Sequence, residues 1–295
     1  MENWQTQYDR YREMVEAFLH QLFDDPGGAS GRPWQRLWEA MGYSVLAGGK
    51  RVRPVLTLAV CEALGGRAED ALAPGCALEL VHTYSLIHDD LPCMDDDDLR
   101  RGRPTCHKVY GETMAVLAGD ALQAEAFRLI FLAPGLSAQQ RIEGVNVLAS
   151  ACGGDGMVAG QVLDVEGAAH DEASLRDLCL RKTGGLLAAA ADLGCIAAGA
   201  SPEVRHQSAE YAKHIGLAFQ VRDDMRDVIA DQDEFGKPIG SDREEGKQTF
   251  LDLLGLEGCA ALVAEETRLA KEAIRDFPEN TFLLELADSL ADRRK

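Results

Sequence analysis

The chain has 295 residues, 46% of them hydrophobic, so it can bury a substantial core without disulfides or structural metals. Its 30 basic and 49 acidic residues give a formal net charge of -19, the wrong sign for coating a nucleic-acid backbone or an anionic membrane surface. We therefore expect no nucleic-acid partner.

The N-terminus and the cysteines indicate a protein of the reducing cytoplasm. Residues 1–12 are polar and charged, so we expect no signal peptide. The most apolar stretch, residues 184–200, carries Asp192 and falls short of the roughly 20 apolar residues that a spanning helix needs. We expect a buried helix there and no membrane insertion. Eight cysteines are scattered singly, without zinc-ligand spacing, which favours free thiols.

Hydrophobic periodicity predicts an all-α fold. Apolar residues recur at spacings of three and four in residues 77–87, 116–131, 175–193 and 208–228. Glycine, proline and small polar residues interrupt the pattern at residues 26–33, 64–66, 134–137, 153–156, 200–202 and 236–240. These breaks predict about ten helices. Because no long low-complexity linker separates them, we expect one domain over residues 1–295.

A glycine-rich basic segment, residues 48–54, comes first among the chemical motifs. Gly49 permits close backbone approach, and Lys50 and Arg53 supply positive charge. The segment is not a nucleotide P-loop, because Arg51 follows the lysine and Ser44 stands where the first glycine should be.

Residues 88–98 hold six aspartates, the densest acidic run in the chain. On a helix that ends near Pro92, Asp89 would face the same way as Ser85 and His82, and Asp95 could fold back beside it after a short turn. Carboxylates so placed suit Mg²⁺, which takes oxygen ligands and phosphate oxygens. A solvated acidic loop is the alternative for this run considered alone.

Further cations follow along the chain, several of them next to glycine. Arg100 and Arg101 come directly after the aspartates and can bind diphosphate oxygens bidentately. Lys182, Lys237 and Lys247 recur later in the sequence. Any one of them alone would be a surface charge by default, but their recurrence in so acidic a protein favours a collective role in binding anions.

A second acidic group lies in residues 219–227, within a helical stretch. Spacing of four places Phe219, Asp223 and Asp227 on one stripe, with Gln220 and Asp224 on the adjoining one. The alternative is an exposed acidic face relieved by neighbouring arginines. Two aspartate clusters, each after an apolar helical run, are typical of opposing walls that bind a polyphosphate through bridging metals.

Two other metal-binding hypotheses fit less of the sequence. Residues 231–242 resemble a calcium loop, but Phe235 occupies a ligand position and Pro238 lies inside the loop. His88 followed by Asp89 is compatible with a metal-dependent phosphohydrolase. That hypothesis leaves the second aspartate cluster without a function.

Five motifs in this order resemble the trans-prenyltransferases, and the resemblance covers nearly the whole chain. The motifs are residues 48–54, 82–105, 160–164, 182–184 and 219–227. The pattern is most similar to bacterial farnesyl and geranylgeranyl diphosphate synthases, with four residues between the Asp89–Asp90 pair and Asp95. The resemblance implies an all-α helical bundle around a central elongated cavity, with the aspartate motifs at its mouth, and a homodimer.

The resemblance also implies a role for each site residue. Magnesium, about three ions with the allylic diphosphate, would be held by Asp89, Asp95, Asp223 and Asp227. The expected catalytic residues are Asp89, Asp90, Asp95, Lys182, Thr183, Gln220, Asp223, Asp224 and Lys237. The expected substrate-binding residues are Gly49, Lys50, Arg53, His82, Arg100, Arg101, Gln161, Phe219 and Lys247. The expected small-molecule partners are diphosphates.

Product length is expected to depend on the helix before the first aspartate motif. Tyr84 lies five residues before Asp89, and Ser85 leaves room above its ring. In the family, an aromatic residue at this place goes with a fifteen-carbon product and a smaller one with twenty carbons. The expected product is therefore farnesyl diphosphate, with geranylgeranyl diphosphate as the alternative. Ordinary core packing is the other interpretation of Tyr84.

Overall fold

The computed structural model describes residues 3–24, 31–229 and 248–292, with only the backbone of residues 227–229. Its helices are α1 (Trp4–Asp24), α2 (Gln35–Val45), α3 (Val52–Ala63), α4 (Ala68–Asp89), α5 (Cys106–Tyr110), α6 (Glu112–Phe131), α7 (Ala138–Cys152), α8 (Met157–Val165), α9 (Glu172–Cys179), α10 (Gly185–Ala198), α11 (Pro202–Ile229), α12 (Phe250–Ala273) and α13 (Thr281–Asp292). The all-α prediction is confirmed, although these helices outnumber the ten expected.

Two departures from plain α-helix were not predicted. Strands β1 (Leu99–Arg100) and β2 (Arg103–Pro104) pair antiparallel and form a small hairpin after the first aspartate motif. The apolar segment 175–193 is helical throughout, but a π-helical turn (Leu180–Gly184) separates α9 from α10. Such turns widen the helix locally and change where side chains point, which affects Lys182 and Thr183.

Helix α10 is the buried helix expected from the apolar stretch. It packs against α3, α4, α7 and α11, and its leucines and the alanines of residues 189–191 are buried. Asp192, the charged residue in this stretch, is neutralised by Arg205, whose Nε donates to Asp192 Oδ1 at 2.6 Å. An ion pair at the edge of α10 therefore makes its burial compatible with a charge.

The main core contains residues of α1 and of α13. Tyr11 of α1 and Phe282 of α13 meet edge to face, with ring centroids 5.3 Å apart. The Tyr11 hydroxyl donates to Glu62 Oε2 at 2.6 Å, which attaches α1 to α3. That the whole of residues 1–295 is one domain stays a prediction. Within the described residues, no helix is long and apolar enough to cross a membrane.

A second, smaller core holds α9, α11 and α12 together. Val221 and Met225 of α11 pack with Phe250, the first residue of α12. Thr249 caps α12 by accepting the amide N–H of Asp252, and Asp252 accepts the Thr249 amide in return. This packing fixes the face of α11 that carries the second aspartate motif.

Candidate active site

The first aspartate motif begins at the C-terminal end of α4. The chain turns back after Asp90, so that the amide of Asp95 donates to the carbonyl of Asp89 at 2.8 Å. Asp96 has a left-handed backbone, with φ of 51°, which continues the turn. Asp89 and Asp95 are therefore neighbours, although five residues separate them.

The Asp89 carboxylate lies in a surrounding that disfavours its charge. Burial, followed by the negative charges of Asp95 and Asp90, raises its pKa to about 6, against the opposing pull of Lys182 and Arg100. Gln161 Nε2 donates to Asp89 Oδ1 at 2.9 Å and orients it. The nearby cations do not fully offset the negative charge of these two adjacent carboxylates. Such a pair of oxygen ligands suits Mg²⁺.

Asp90 faces away from this pair and is buried. Arg100 Nε donates to Asp90 Oδ1 at 2.6 Å, and Arg100 Nη2 pairs with Asp97 Oδ2 at 2.9 Å. Both the Asp90 carboxylate and the Arg100 guanidinium are thereby engaged within the protein. In this conformation the pair positions the β1–β2 hairpin relative to α4.

Helix α8 and the π-helical turn approach each other closely at Gly160. A Cβ there would lie 2.4 Å from the Lys182 backbone nitrogen, so only glycine fits. The close contact brings Gln161 of α8 and Lys182 to the same side of the site. Lys182 Nζ forms an ion pair with Asp164 Oδ2 at 2.6 Å. Asp164 ends the motif of residues 160–164, and its place one helical turn after Gly160 is the feature of the sequence that indicates this role.

The second aspartate motif connects to the π-helical turn by a chain of hydrogen bonds. Thr183 Oγ1 donates to Gln220 Oε1 at 3.1 Å, and Gln220 Nε2 donates to Asp224 Oδ1 at 3.0 Å. Asp224 Oδ2 also accepts the amide of Phe250 at 3.1 Å. Asp224 therefore anchors the start of α12, a role that spacing within one helix does not reveal.

The other predicted residues of this half are Phe219, Asp223, Asp227, Lys237 and Lys247. Phe219 and Asp223 are half-buried on α11. The side chain of Asp227 lies outside the described residues, as do Lys237 and Lys247 entirely. Their predicted roles stay predictions.

A cavity of about 540 Å³ lies beside Asp89. The predicted site residues that line it are Arg53, His82, Tyr84, Ser85, Asp89, Gln161, Lys182 and Thr183. Apolar side chains that sequence reasoning did not single out also line it, namely Leu86, Met94, Met157, Val158, Val162 and Val165, and His88 and Glu166 are the remaining lining residues. The cavity thus has a charged end and an apolar interior, as a substrate with a diphosphate head and a hydrocarbon tail requires.

The basic segment 48–54 divides its cations between two environments. Arg51 adopts a left-handed backbone and turns inward, where its guanidinium pairs with Glu16 at 2.8 Å and Glu79 at 2.7 Å. Arg53 instead lines the cavity. Lys50 is exposed, and its carbonyl accepts the Tyr8 hydroxyl at 2.6 Å. Of the three cations, Arg51 is structural.

Arg101 approaches the glycines of the same segment. Its guanidinium donates to the carbonyl of Gly48, and a Cβ at Gly49 would lie 3.0 Å from it. Burial, followed by the positive charges of Arg53 and Arg101, lowers the pKa of His82 well below its usual range. A neutral His82 therefore accompanies two arginines, which is the electrostatic character of an anion site.

His88 is directed toward α6. Because a carbonyl can only accept, His88 Nε2 donates to Val116 O, 3.1 Å away. Gly119 provides the space, since a Cβ there would lie 2.1 Å from His88 Nε2. This hydrogen bond engages one ring nitrogen with backbone, and it gives the phosphohydrolase hypothesis no support.

Comparison with known proteins shows which family the chain belongs to. Residues 35–281 match the polyprenyl synthetase family. The chain belongs to this family. It is 46% identical over 263 residues to the farnesyl diphosphate synthase of Bacillus subtilis (strain 168), across 87% of this chain and 88% of that protein. It is also 46% identical over 261 residues to the chloroplastic geranylgeranyl pyrophosphate synthase of Capsicum annuum, across 86% of this chain and 71% of that protein.

Solved structures of polyprenyl synthetases agree with the fold. The apo FPP/GFPP synthase of Zymomonas mobilis superposes with a TM-score of 0.85 at 36% identity, covering 96% of this chain and 98% of that one. The geranyltransferase of Legionella pneumophila gives a TM-score of 0.86 at 33% identity, covering 99% of each chain. The resemblance seen in the sequence is confirmed, and the chain is a short-chain trans-prenyltransferase.

Proposed function

We propose that this prenyltransferase is a magnesium-dependent farnesyl diphosphate synthase. It joins isopentenyl diphosphate to dimethylallyl diphosphate and then to geranyl diphosphate, releasing pyrophosphate each time. The observation that carries the proposal is a single cavity with Asp89 and Lys182 at its charged end and Tyr84 on its wall.

The allylic diphosphate binds between the two aspartate motifs. Asp89, Asp95 and Asp223, with Asp227 as a further expected ligand, would hold Mg²⁺ there, and bound Mg²⁺ would supply positive charge toward the leaving diphosphate. Lys182 adds a positive charge beside Asp89, held in place by Asp164. Of the other two cations expected to assist, Arg100 acts through Asp90 in the described conformation, and Lys237 completes the set.

Isopentenyl diphosphate binds on the basic side of the cavity. Arg53 and Arg101 contact its diphosphate, with Lys50 and the backbone of Gly49 close by. Lys247 stays an expected further cation outside the described residues. The neutral His82 can donate a hydrogen bond to the same phosphate group without adding charge. Two separate diphosphate sites hold the double bond of isopentenyl diphosphate against the allylic carbon.

Hydroxyl and amide groups lie between the two diphosphate sites. Thr183 and Gln161 line the cavity, and Gln220 orients the Thr183 hydroxyl. Their oxygens stabilise the allylic cation through dipoles, and the Phe219 ring stands nearby on α11. The final proton passes to the departing pyrophosphate, which is the base formed at that place during the reaction.

Turnover of isopentenyl diphosphate with dimethylallyl diphosphate tests this mechanism. We expect turnover that requires Mg²⁺ and falls by orders of magnitude in Asp89→Asn, since a metal ligand acts on the leaving-group charge. The control is His88→Ala, which removes the neighbouring residue outside the proposed metal set. Equal turnover of Asp89→Asn and the wild type would contradict the mechanism.

Geranylgeranyl diphosphate is the second candidate product. Its support is the 46% identity to the Capsicum annuum synthase, equal to that of the Bacillus subtilis enzyme. Tyr84 favours the shorter product, because the residue is 94% buried and lines the cavity five residues before Asp89 on α4.

We also propose that the protein is a homodimer acting in the cytoplasm. Large apolar side chains are exposed along α5, α6 and α7, in particular Val109, Val116, Leu117, Phe131, Leu132 and Ile142. Such a surface is typical of a protein interface. Light scattering at micromolar concentration tests the dimer, and a monomeric mass would exclude it.

A further inference from the structure

The loop that follows the first aspartate motif contains a second group of metal-ligating side chains. A carboxylate oxygen of Asp96, one of Asp98 and a ring nitrogen of His107 lie within 4.8 Å of one another. None of these residues takes part in the proposed prenyl transfer. The group joins the end of the motif to α5 across the β1–β2 hairpin.

His107 is prepared as a ligand by its neighbours. The Thr105 hydroxyl lies 3.4 Å from the Asp98 carbonyl and 3.1 Å from His107 Nδ1. The carbonyl can only accept, so the hydroxyl donates to it and accepts the N–H at Nδ1. His107 Nε2 then carries a lone pair. An oxygen partner that fixes the ring in this way is usual for metal-binding histidines.

The lone pair at His107 Nε2 accepts no hydrogen bond from the described residues. His107 is 94% buried, and among the described residues Nε2 is a buried nitrogen without a hydrogen-bond partner. A buried polar atom left unpaired is costly, and a bound cation would satisfy it. Asp96 and Asp98 are exposed, so the group is open to ions from solvent.

Binding of a cation would compete with one ion pair of Asp98. Lys108 Nζ pairs with Asp98 Oδ1 at 2.6 Å, but both side chains are well exposed to solvent. Exposed ion pairs contribute little to stability, so a divalent cation can displace the lysine or use the second Asp98 oxygen.

We propose that Asp96, Asp98 and His107 bind a first-row transition-metal dication of the zinc class. An imidazole nitrogen with two carboxylates suits Zn²⁺ and related ions, whereas Mg²⁺ prefers oxygen ligands alone. Three protein ligands leave a further position for water. The bound ion links the turn at Asp96 to α5 and so holds the hairpin that carries Arg100 and Arg101.

Equilibrium dialysis against Zn²⁺ tests the proposal independently of enzyme activity. All proteins carry Cys93→Ser, because Cys93 is the exposed thiol among the described cysteines and would bind zinc itself. They are stripped with a chelator and dialysed in excess Mg²⁺, which occupies the oxygen-only site around Asp89. We expect the wild-type background to bind one Zn²⁺ per chain, and His107→Gln and Asp96→Asn each to lower the affinity for that ion by at least about 100-fold. Loss of a residue that only supports a metal ligand costs up to about 100-fold, so loss of a ligand itself should cost at least as much.

The control is Asp89→Asn, which changes the proposed magnesium site and keeps the zinc equivalent. Circular dichroism checks folding, and if the buried His107→Gln fails to fold, the exposed Asp96→Asn decides alone. The proposal would be overturned if Asp96→Asn bound Zn²⁺ as tightly as the wild type. It would also be overturned if Asp89→Asn, and not Asp96→Asn, lost the bound Zn²⁺.

Discussion

At the residue scale, the burial of the Asp89 carboxylate has a consequence that can be measured. Its pKa of about 6 means that, without divalent cations, the folded state binds the Asp89 proton more tightly than the unfolded state does. The stabilisation conferred by that proton is complete below the unfolded pKa near 4. It is lost as the pH rises through about 6, so the burial of Asp89 costs the metal-free protein most stability at and above neutral pH.

Asp89→Asn should therefore stabilise the protein at pH 7 in the presence of a chelator. A difference of about two pKa units corresponds to at most about 3 kcal/mol in the free energy of unfolding. Thermal unfolding in chelator at pH 7 and pH 4 measures it, and the advantage of the variant should vanish at pH 4. Asp98→Asn is the control, because Lys108 lowers the pKa of Asp98 and its removal should bring no gain. Identical melting of Asp89→Asn and wild type at pH 7 would refute this account of Asp89.

Arg53 and Arg101 carry the second residue-scale prediction. Replacing either with alanine removes a charge-assisted hydrogen bond to isopentenyl diphosphate, worth roughly 1.5 to 3 kcal/mol, or about 10- to 150-fold in binding. Calorimetric titration measures this loss. Arg103→Ala is the matched control from the same hairpin, since the Arg103 guanidinium stacks 4.4 Å above the Tyr43 ring. If both variants bind the ligand normally, the pocket lies elsewhere.

At the scale of elements, Asp224 connects α11 to α12. Because its carboxylate accepts both Gln220 Nε2 and the Phe250 amide, Asp224→Ala should do more than impair chemistry. Leaving buried donors unpaired should lower the free energy of unfolding by about 1 to 3 kcal/mol.

Urea unfolding of Asp224→Ala and Asp224→Asn separates these effects. The asparagine retains an acceptor oxygen for the Phe250 amide, so it should lose less stability than the alanine. Unchanged stability of Asp224→Ala would mean that the link between α11 and α12 is unimportant.

Sequence periodicity predicted elements better than it predicted side-chain directions. The buried helix α10 and the return of Asp95 to Asp89 follow from local pattern, because apolar content and turn length are local properties. The π-helical turn at Leu180–Gly184 does not, since it depends on tertiary packing against α8. For the same reason, spacing does not explain why Arg53 lines the cavity and Arg51 does not, although the family resemblance selected Arg53 alone. Only the structure places Glu16 and Glu79 around Arg51.

At the scale of the whole molecule, the length of the cavity decides the product. Tyr84→Ala should lengthen it and let the enzyme add at least one more five-carbon unit, giving geranylgeranyl diphosphate. Tyr84→Phe is the control, because it keeps the ring and should keep the farnesyl product. Chromatography of the dephosphorylated products distinguishes them, and a Tyr84→Ala enzyme that is active and still stops at farnesyl would place the stop on another helix.

The identity of the wild-type product tests the central claim most directly. The enzyme is incubated with Mg²⁺, labelled isopentenyl diphosphate in excess and dimethylallyl diphosphate, and the dephosphorylated products are separated by chromatography. We expect farnesol as the main final product, with geraniol as a transient intermediate and no label incorporated when Mg²⁺ is removed. Geranylgeraniol as the main product, or incorporation that persists without Mg²⁺, would contradict the account.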